Sequence, residues 1–260
     1  MKITTLMENT ALSPEFAAEH GLSLFVETER HRFLFDAGQT GAFADNAAKL
    51  GVDLKSAQFA VLSHGHYDHG GGMGRFLEIN RRAKIYVNQH AFDDHWNGTR
   101  RCIGLDPRLR DSRRLVMTGD RATIAPGLVL ATCNDLPRIV PTDPLGLTER
   151  VGNFFLPEDF RHEHYLLAEE KGRKILFSGC SHKGILNILD WFRPDVLVGG
   201  FHFKDLDPAS DQLRAYGEAM AKYDTTFYTG HCTGQPQFDA LRSILGDRLH
   251  ALSAGMTVEI

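Results

Sequence analysis

The sequence predicts an α/β chain in which two β-sheets pack together with helices outside. Three observations carry this. Short apolar runs of strand length recur along the chain, and each half places strands before helices. No low-complexity linker or internal repeat divides residues 1–260, so they read as a single domain.

Taken in order, "MKITTLMENT" reads as a first strand; with one Lys and no long apolar stretch it does not read as a signal peptide. "GLSLFVET" and "RFLFDAG" predict two strands joined by a tight turn around Glu29 to His31. "GAFADNAAKLG" has helical spacing and a glycine stop at Gly51. "AQFAVLS" is a short buried strand that leads into "HGHYDHGGG", and "RAKIYVN" is another strand. "GLVLATC", "YLLAEE" and "KILFSGC" follow as strands, then a helix from about Ser181 to Trp191. A strand at "PDVLVGG", a helix from Asp211 to Lys222, a strand at "TTFYTGH", a helix near Phe238 to Leu245 and a terminal strand "MTVEI" complete the pattern.

Composition excludes several function classes. A formal charge of −4 gives no basic signature for nucleic acid. No run of 18 apolar residues offers a membrane span. Cys102, Cys133, Cys180 and Cys232 are widely spread with no CxxC, which argues against a disulfide framework and fits a reducing cytoplasm.

The chemistry concentrates in "AVLSHGHYDHGGG". His64 and His66 alternate along an extended segment, so both imidazoles can face one side. Asp68 and His69 follow as the chain turns. Imidazole suits zinc, copper, iron or nickel, and the carboxylate adds a harder ligand. Gly65, Gly70, Gly71 and Gly72 permit sharp turns close to a metal. A lone histidine reads by default as a surface or satisfied residue; four ligand-type residues at this spacing after a buried strand do not.

"HGHYDH" resembles the HxHxDH signature of the metallo-β-lactamase superfamily, and "FLFDAG" resembles that family's upstream strand ending in Asp-x-Gly. The resemblance covers nearly the whole chain and implies an αββα sandwich. It implies that His64 and His66 hold one metal, Asp68 and His69 a second, and that Asp36 lies buried beside them. "GCSHKGI", "EHGLSLFVE", "GGFHF" and "GHCTG" resemble a narrower branch, the dihydropterin–ribofuranosylaminobenzene phosphate synthase-like proteins. That branch implies His182 as a further ligand of the first metal and His231 as the closing ligand of the second.

Most superfamily members carry a bridging aspartate where this chain has Cys180, and the lactamases proper also place a cysteine there. Cys180 reads as a thiolate ligand, a nearby thiol or a buried residue, and we favour the last, since buried free Cys is common. His162 and His164 in "FRHEHYLLAEE" read as a polar strand entry. His202 in "GGFHF" is a substrate contact or proton donor against a structural histidine, while His20, His31, His90, His95 and His250 read as structural. The catalytic assignments are Asp68 and His202. Two divalent metal ions are expected as cofactors, zinc first, with manganese or iron as alternatives, because histidine dominates the ligand set.

The resemblance implies either attack by a metal-activated water, as in hydrolytic relatives, or the branch reaction. In the latter, pyrophosphate leaves a dihydropterin methylene, an aromatic carbon attacks, and the benzoate partner loses its carboxylate. Three readings compete: a synthase-like enzyme acting on a phosphorylated, pterin-like small molecule, a phosphoesterase of the same fold, and a non-catalytic metal-containing binding protein. No nucleic acid or membrane partner is expected, and the sequence does not give an oligomeric state.

Near residues 93–115 the chain carries a basic insert. Asn97 to Arg114 holds six Arg against two Asp, a local charge of +4 within a chain of −4. We expect an irregular cover over the site, with Arg100 and Arg101 binding phosphate. Lys183, at the start of the helix after His182, is a second phosphate candidate. Trp96, Phe154 and Phe155 are candidates to stack on a planar ring.

Overall fold

The computed structural model describes residues 1–260. Two seven-stranded sheets face each other. The first runs in the order Thr257–Glu259, Lys2–Met7, Ser23–Glu27, Arg32–Phe35, Phe59–Val61, Lys84–Asn88 and Leu115–Thr118. The second runs Leu249–Ala251, Thr226–Thr229, Val196–Val198, Arg173–Phe177, Tyr165–Glu170, Leu128–Ala131 and Arg121–Ala125.

Strand alternation builds the layers. Phe33 and Phe35 point between the sheets, where they meet Phe177, Leu166 and Val198, while Leu34 points outward to a second cluster with Phe43 and Phe76. That outer cluster covers the first sheet with the helices Ala42–Lys49 and Met73–Ile79. A third cluster seats Ile185–Phe192, Asp211–Met220 and Gln235–Leu245 on the second sheet. The αββα order of layers is therefore present, as the sequence implies.

Strand directions position the site. Arg32–Phe35, Phe59–Val61, Lys84–Asn88 and Leu115–Thr118 are mutually parallel, as are Arg173–Phe177, Val196–Val198, Thr226–Thr229 and Leu249–Ala251. Parallel strands bring their carboxyl ends to one edge, the edge where open α/β sheets bind ligands. The segments that leave those ends contain Asp36, His64, His182, His202 and His231.

Two expectations change. The helix placed from about Ser181 begins only at Ile185, because Ser181 adopts φ 60° and Gly184 φ 91°, neither of them helical. The basic insert is only partly irregular. It contributes His95–Asn97 and Arg101–Cys102 to a third, four-stranded sheet with the hairpin Leu147–Val151 and Phe154–Pro157. Trp96 and Phe155 lie on one face of it, ring centroids 5.3 Å apart, with Arg150 over Trp96. They pack on each other, and Phe154 is exposed; none of the three lines the histidine cleft.

Candidate metal centre

The histidine loop leaves the strand Phe59–Val61, bends at His64 and Gly65, and after an extended His66 closes into the one-turn helix Tyr67–Gly70. None of its four glycines has positive φ. Their role is close approach: a Cβ on Gly65 would lie 2.2 Å from the Ala91 carbonyl oxygen, and one on Gly71 2.1 Å from that of Gln39. Non-glycine residues next to the site do occupy the left-handed region, among them Asp36, Phe160, Ser181, His202 and His231. Such conformations cost about 1–3 kcal/mol each and persist where packing over-determines them.

The loop and the strand ends bring two donor sets together. The first comprises His64, His66 and His182, whose ligand atoms lie within 4.8 Å of one another. All three Nε2 atoms are buried without a hydrogen-bond partner. Burial pushes all three pKa values well below the ordinary histidine range, so the rings are neutral. The tautomer of His64 follows from its neighbours. Ser63 Oγ donates to Asp36 Oδ2 (2.7 Å) and accepts from His64 Nδ1 (2.8 Å), which leaves the Nε2 lone pair turned inward. Three buried, unpartnered ring nitrogens cost free energy, and a cation met by their lone pairs would remove that cost.

The second set is Asp68, His69 and His231. His69 Nε2 lies 3.1 Å from His231 Nε2 and 3.9 Å from Asp68 Oδ2, and His231 Nε2 lies 3.4 Å from the same oxygen. Both Nδ1 atoms are committed as donors: His69 to Asp36 Oδ2 (2.7 Å) and His231 to Asn9 Oδ1 (2.9 Å). Two imidazole lone pairs therefore face each other, and only a cation between them removes the repulsion. Burial opposes a charge on His69, yet Asp36 and Asp68 outweigh it and raise its pKa to about 9, so without a metal a proton takes that place. Burial alone would raise the Asp68 pKa as well; His69 and His231 reverse this and hold it well below the usual carboxylate range. The donor chemistry of both sets fits divalent metal ions.

Asp36 is fully buried and braces both sets, accepting from Ser63 N–H (2.7 Å), Ser63 Oγ and His69. Cys180 is buried with Sγ 3.2 Å from His69 Nε2, and burial together with Cys232 holds its thiol protonated in the absence of a cation. His202 reaches the cleft with its ring 4.4 Å from that of His182; burial and then Lys204 lower its pKa to about 4, so it is neutral at physiological pH.

Among the proposed substrate residues, Arg101 lines the cleft of about 220 Å3, its guanidinium 4.8 Å over the Tyr67 ring. Arg100 does not line it, since it sits in the turn before the edge strand Arg101–Cys102 and points to solvent. Lys183 is a correction as well. It is fully buried, with Nζ donating to the carbonyls of Thr132 (2.7 Å) and Glu163 (2.8 Å), and cannot reach a phosphate in the cleft.

Several residues escaped the sequence reading. His162, read as part of a polar strand entry, and His95, read as structural, form a buried group with His66 and Glu158 whose ligand atoms lie within 4.8 Å. Their tautomers argue against a metal there. His162 Nδ1 accepts from Gly65 N–H (2.8 Å), so its Nε2 carries the proton. His95 faces two acceptors, Glu158 Oε2 (2.8 Å) and the His90 carbonyl (3.2 Å), so both its nitrogens are protonated. Burial opposes that charge, and the bond to Glu158 overcomes it. Glu163 accepts the backbone N–H groups of His182 (2.8 Å) and Lys183 (3.1 Å) and fixes the turn that presents His182. Lys204 was also missed and lines the cleft with Arg101. The repeated His spacing in "RHEH" was the one available signal; nothing local marked Glu163, His95 or Lys204.

A family model describing the metallo-beta-lactamase superfamily matches residues 18–231. The chain belongs to that superfamily. Among superfamily relatives, the chain is 29% identical over 266 residues to the 7,8-dihydropterin-6-methyl-4-(beta-D-ribofuranosyl)-aminobenzene-5'-phosphate synthase of Methanocaldococcus jannaschii, covering 90% of this chain and 88% of the relative. It is 28% identical over 241 residues to an uncharacterised protein of the same organism, covering 89% and 90%. Its fold is similar to that of Tm1679, a metal-dependent hydrolase of the β-lactamase superfamily, with a TM-score of 0.82, 26% identity and coverage of 100% and 99%. The zinc-bound PqqB of Methylobacterium extorquens shares the superfamily fold at 12% identity and a TM-score of 0.57, with full coverage of both chains.

Proposed function

We propose that this chain is a dinuclear metal-dependent enzyme of the synthase-like branch, acting on a phosphorylated, pterin-like small molecule. The observation that carries the reading is the pair of donor sets, His64/His66/His182 and Asp68/His69/His231, abutting at the floor of one cleft with the His64 and His69 rings 4.2 Å apart. Two bound divalent ions would stabilise negative charge on a departing pyrophosphate or phosphate. The chain supplies the rest. Arg101 on one wall and Lys204 on another offer positive charge to the phosphate outside the metal pair. Leu145 and Leu147 give the cleft an apolar flank for an aromatic ring. Neutral His202 is placed to donate or accept a hydrogen bond at the reacting group. The similarity to the synthase over 90% of this chain supports this branch.

A second reading, hydrolysis of a phosphoester, is favoured by the full-length likeness to a metal-dependent hydrolase at 26% identity. One assay separates them. The metal-loaded protein is offered a dihydropterin methylene pyrophosphate with a ribofuranosyl-aminobenzene phosphate, and in parallel a generic phosphodiester. The synthase-like reading expects pyrophosphate release that requires the aromatic partner, whose amine takes up the methylene and loses a proton; carbon dioxide is not expected, because the product for which the relative is named is an aminobenzene with the ribose at ring position 4. Turnover of the diester with no such coupling would replace it with the hydrolase.

A further inference from the structure

In the second donor set two histidines, their rings 4.7 Å apart, approach Asp68 together, and one amide touches both. His231 Nε2 and His20 Nε2 lie 3.4 and 3.3 Å from the same Asp68 oxygen, Oδ2. Asn9, just past the end of the first strand, bonds the far nitrogen of each ring: its Oδ1 meets His231 Nδ1 at 2.9 Å and its Nδ2 meets His20 Nδ1 at 3.2 Å.

Which end of an amide is oxygen must be settled from its partners. Here two backbone groups decide it. Gly21 N–H, which can only donate, meets Oδ1 at 3.3 Å, and the His231 carbonyl, which can only accept, meets Nδ2 at 3.4 Å. With the amide fixed, the two rings are forced apart in kind. His231 must donate from Nδ1, so its Nε2 is a bare lone pair. His20 must accept at Nδ1, so its Nε2 carries hydrogen and donates to Asp68. The backbone of His231 is held by the neighbouring residue, since Glu8 Oε1 accepts its N–H.

We propose that Asn9 selects opposite tautomers in the two histidines beside Asp68, making His231 a metal ligand and His20 the hydrogen-bond donor that orients the Asp68 carboxylate. The inference rests on the dinuclear reading above. Asn9 and His20 are positioning residues in this scheme: they act on the ligands and not on the reacting atoms. Ligating carboxylates and imidazoles are commonly held by such outer partners, whose loss weakens metal binding by about 10–100-fold.

The test has two arms. In metal-free protein carrying 15N-histidine, long-range proton–nitrogen correlation at pH 8 reads each tautomer without any variant that has to fold. His20→Gln and His231→Gln serve only to assign signals. Nε2–H on His20 and Nδ1–H on His231 are expected; the opposite tautomer on either ring overturns the proposal. In the second arm, zinc is titrated against a chelating indicator. Wild type is expected to take up two equivalents, with Asn9→Ala weakening one by about 10–100-fold and leaving the other unchanged. His20→Gln, whose side-chain amide can still donate, should stay near wild type, and His20→Leu should weaken the same equivalent. Unchanged affinities in Asn9→Ala, or equal loss at both equivalents, would overturn the assignment. A wild type that takes up fewer than two equivalents would instead sink the dinuclear reading, while the tautomers would still be read from the first arm.

Discussion

The histidine loop and the arginine insert border the same cleft, and they obey different rules. In the loop every ligand-type side chain is short and its direction is dictated by backbone that has no room to move: Gly65 lies against Ala91 and Gly71 against Gln39, and Asp36 braces His64 through Ser63 and His69 directly. In the insert the side chains are long and go separate ways. Arg108 pairs with Asp106 at 2.6 Å, Arg114 bonds the carbonyls of Asn80 and Leu77, and of the six arginines only Arg101 lines the cleft. Spacing in a sterically fixed loop predicts convergence; a local charge sum predicts no direction.

The sharpest way to break this comparison is to remove a ligand from the loop side. His66→Ala and His231→Ala should each lose one metal, weakening that site by more than the roughly 100-fold upper figure for outer partners. Metal analysis after dialysis reads this directly. Full retention of both metals in either variant would dissolve the idea that the loop's geometry is committed to ligation.

Next in size is the buried pair that supports the loop from the insert side, His95 with Glu158. Breaking such a pair costs about 3–5 kcal/mol. The pKa of His95 is raised above its unfolded value, so the stabilisation is complete below about pH 6.5 and is lost as pH rises through the folded value. Glu158→Gln should therefore destabilise the metal-free protein strongly at pH 6 and much less at pH 9.5, as read by denaturant unfolding. An equal loss at both values would mean that His95 is neutral and the pair is an ordinary hydrogen bond.

A smaller effect compares two arginines adjacent in sequence. Arg101→Ala should weaken a phosphorylated ligand by the about 1.5–3 kcal/mol of a charge-assisted bond, roughly 10–150-fold in affinity, with metal content intact. Arg100→Ala should change almost nothing, because that side chain does not line the cleft. Equal effects from the two would restore the insert to a diffuse electrostatic cover.

Legibility followed the same division. The layers could be read because alternation in "RFLF" and the apolar faces of the outer helices are local signals, and the structure bears them out. Asp36, His64, His66, Asp68 and His69 could be placed because one short segment and its parallel neighbour hold them. The third sheet was missed because its strands are two to five residues long and come from segments about fifty residues apart, which leaves no periodicity to detect. Lys183 misled because a lysine beside a helix start reads as a phosphate ligand, whereas tertiary packing turned its stem inward to the Thr132 and Glu163 carbonyls. His20 was passed over because an isolated histidine carries no spacing, and His162 because its spacing to His164 also fits a polar strand entry; only the fold brings them to the loop.

The smallest expected effect concerns Cys180, which stands where the two regions' logic meets: a short side chain at a strand end with a choice of partners. Its Sγ is 3.2 Å from His69 Nε2, and its ligand atom falls within 4.8 Å of His64 and His69 in one group and of His231 and Cys232 in another. Proximity alone therefore allows ligation. Against it stand burial and the negative charge of Asp68, which both favour the thiol over the thiolate. The second donor set already has a carboxylate and two imidazoles without the sulfur. Cys180→Ser should keep both metals and most activity, and cobalt-substituted protein should lack a thiolate-to-metal charge-transfer band. A metal–sulfur distance of about 2.3 Å in a metal-loaded crystal, or loss of that band in Cys180→Ser, would make Cys180 a ligand and extend the loop's rule of fixed convergence to the opposite sheet.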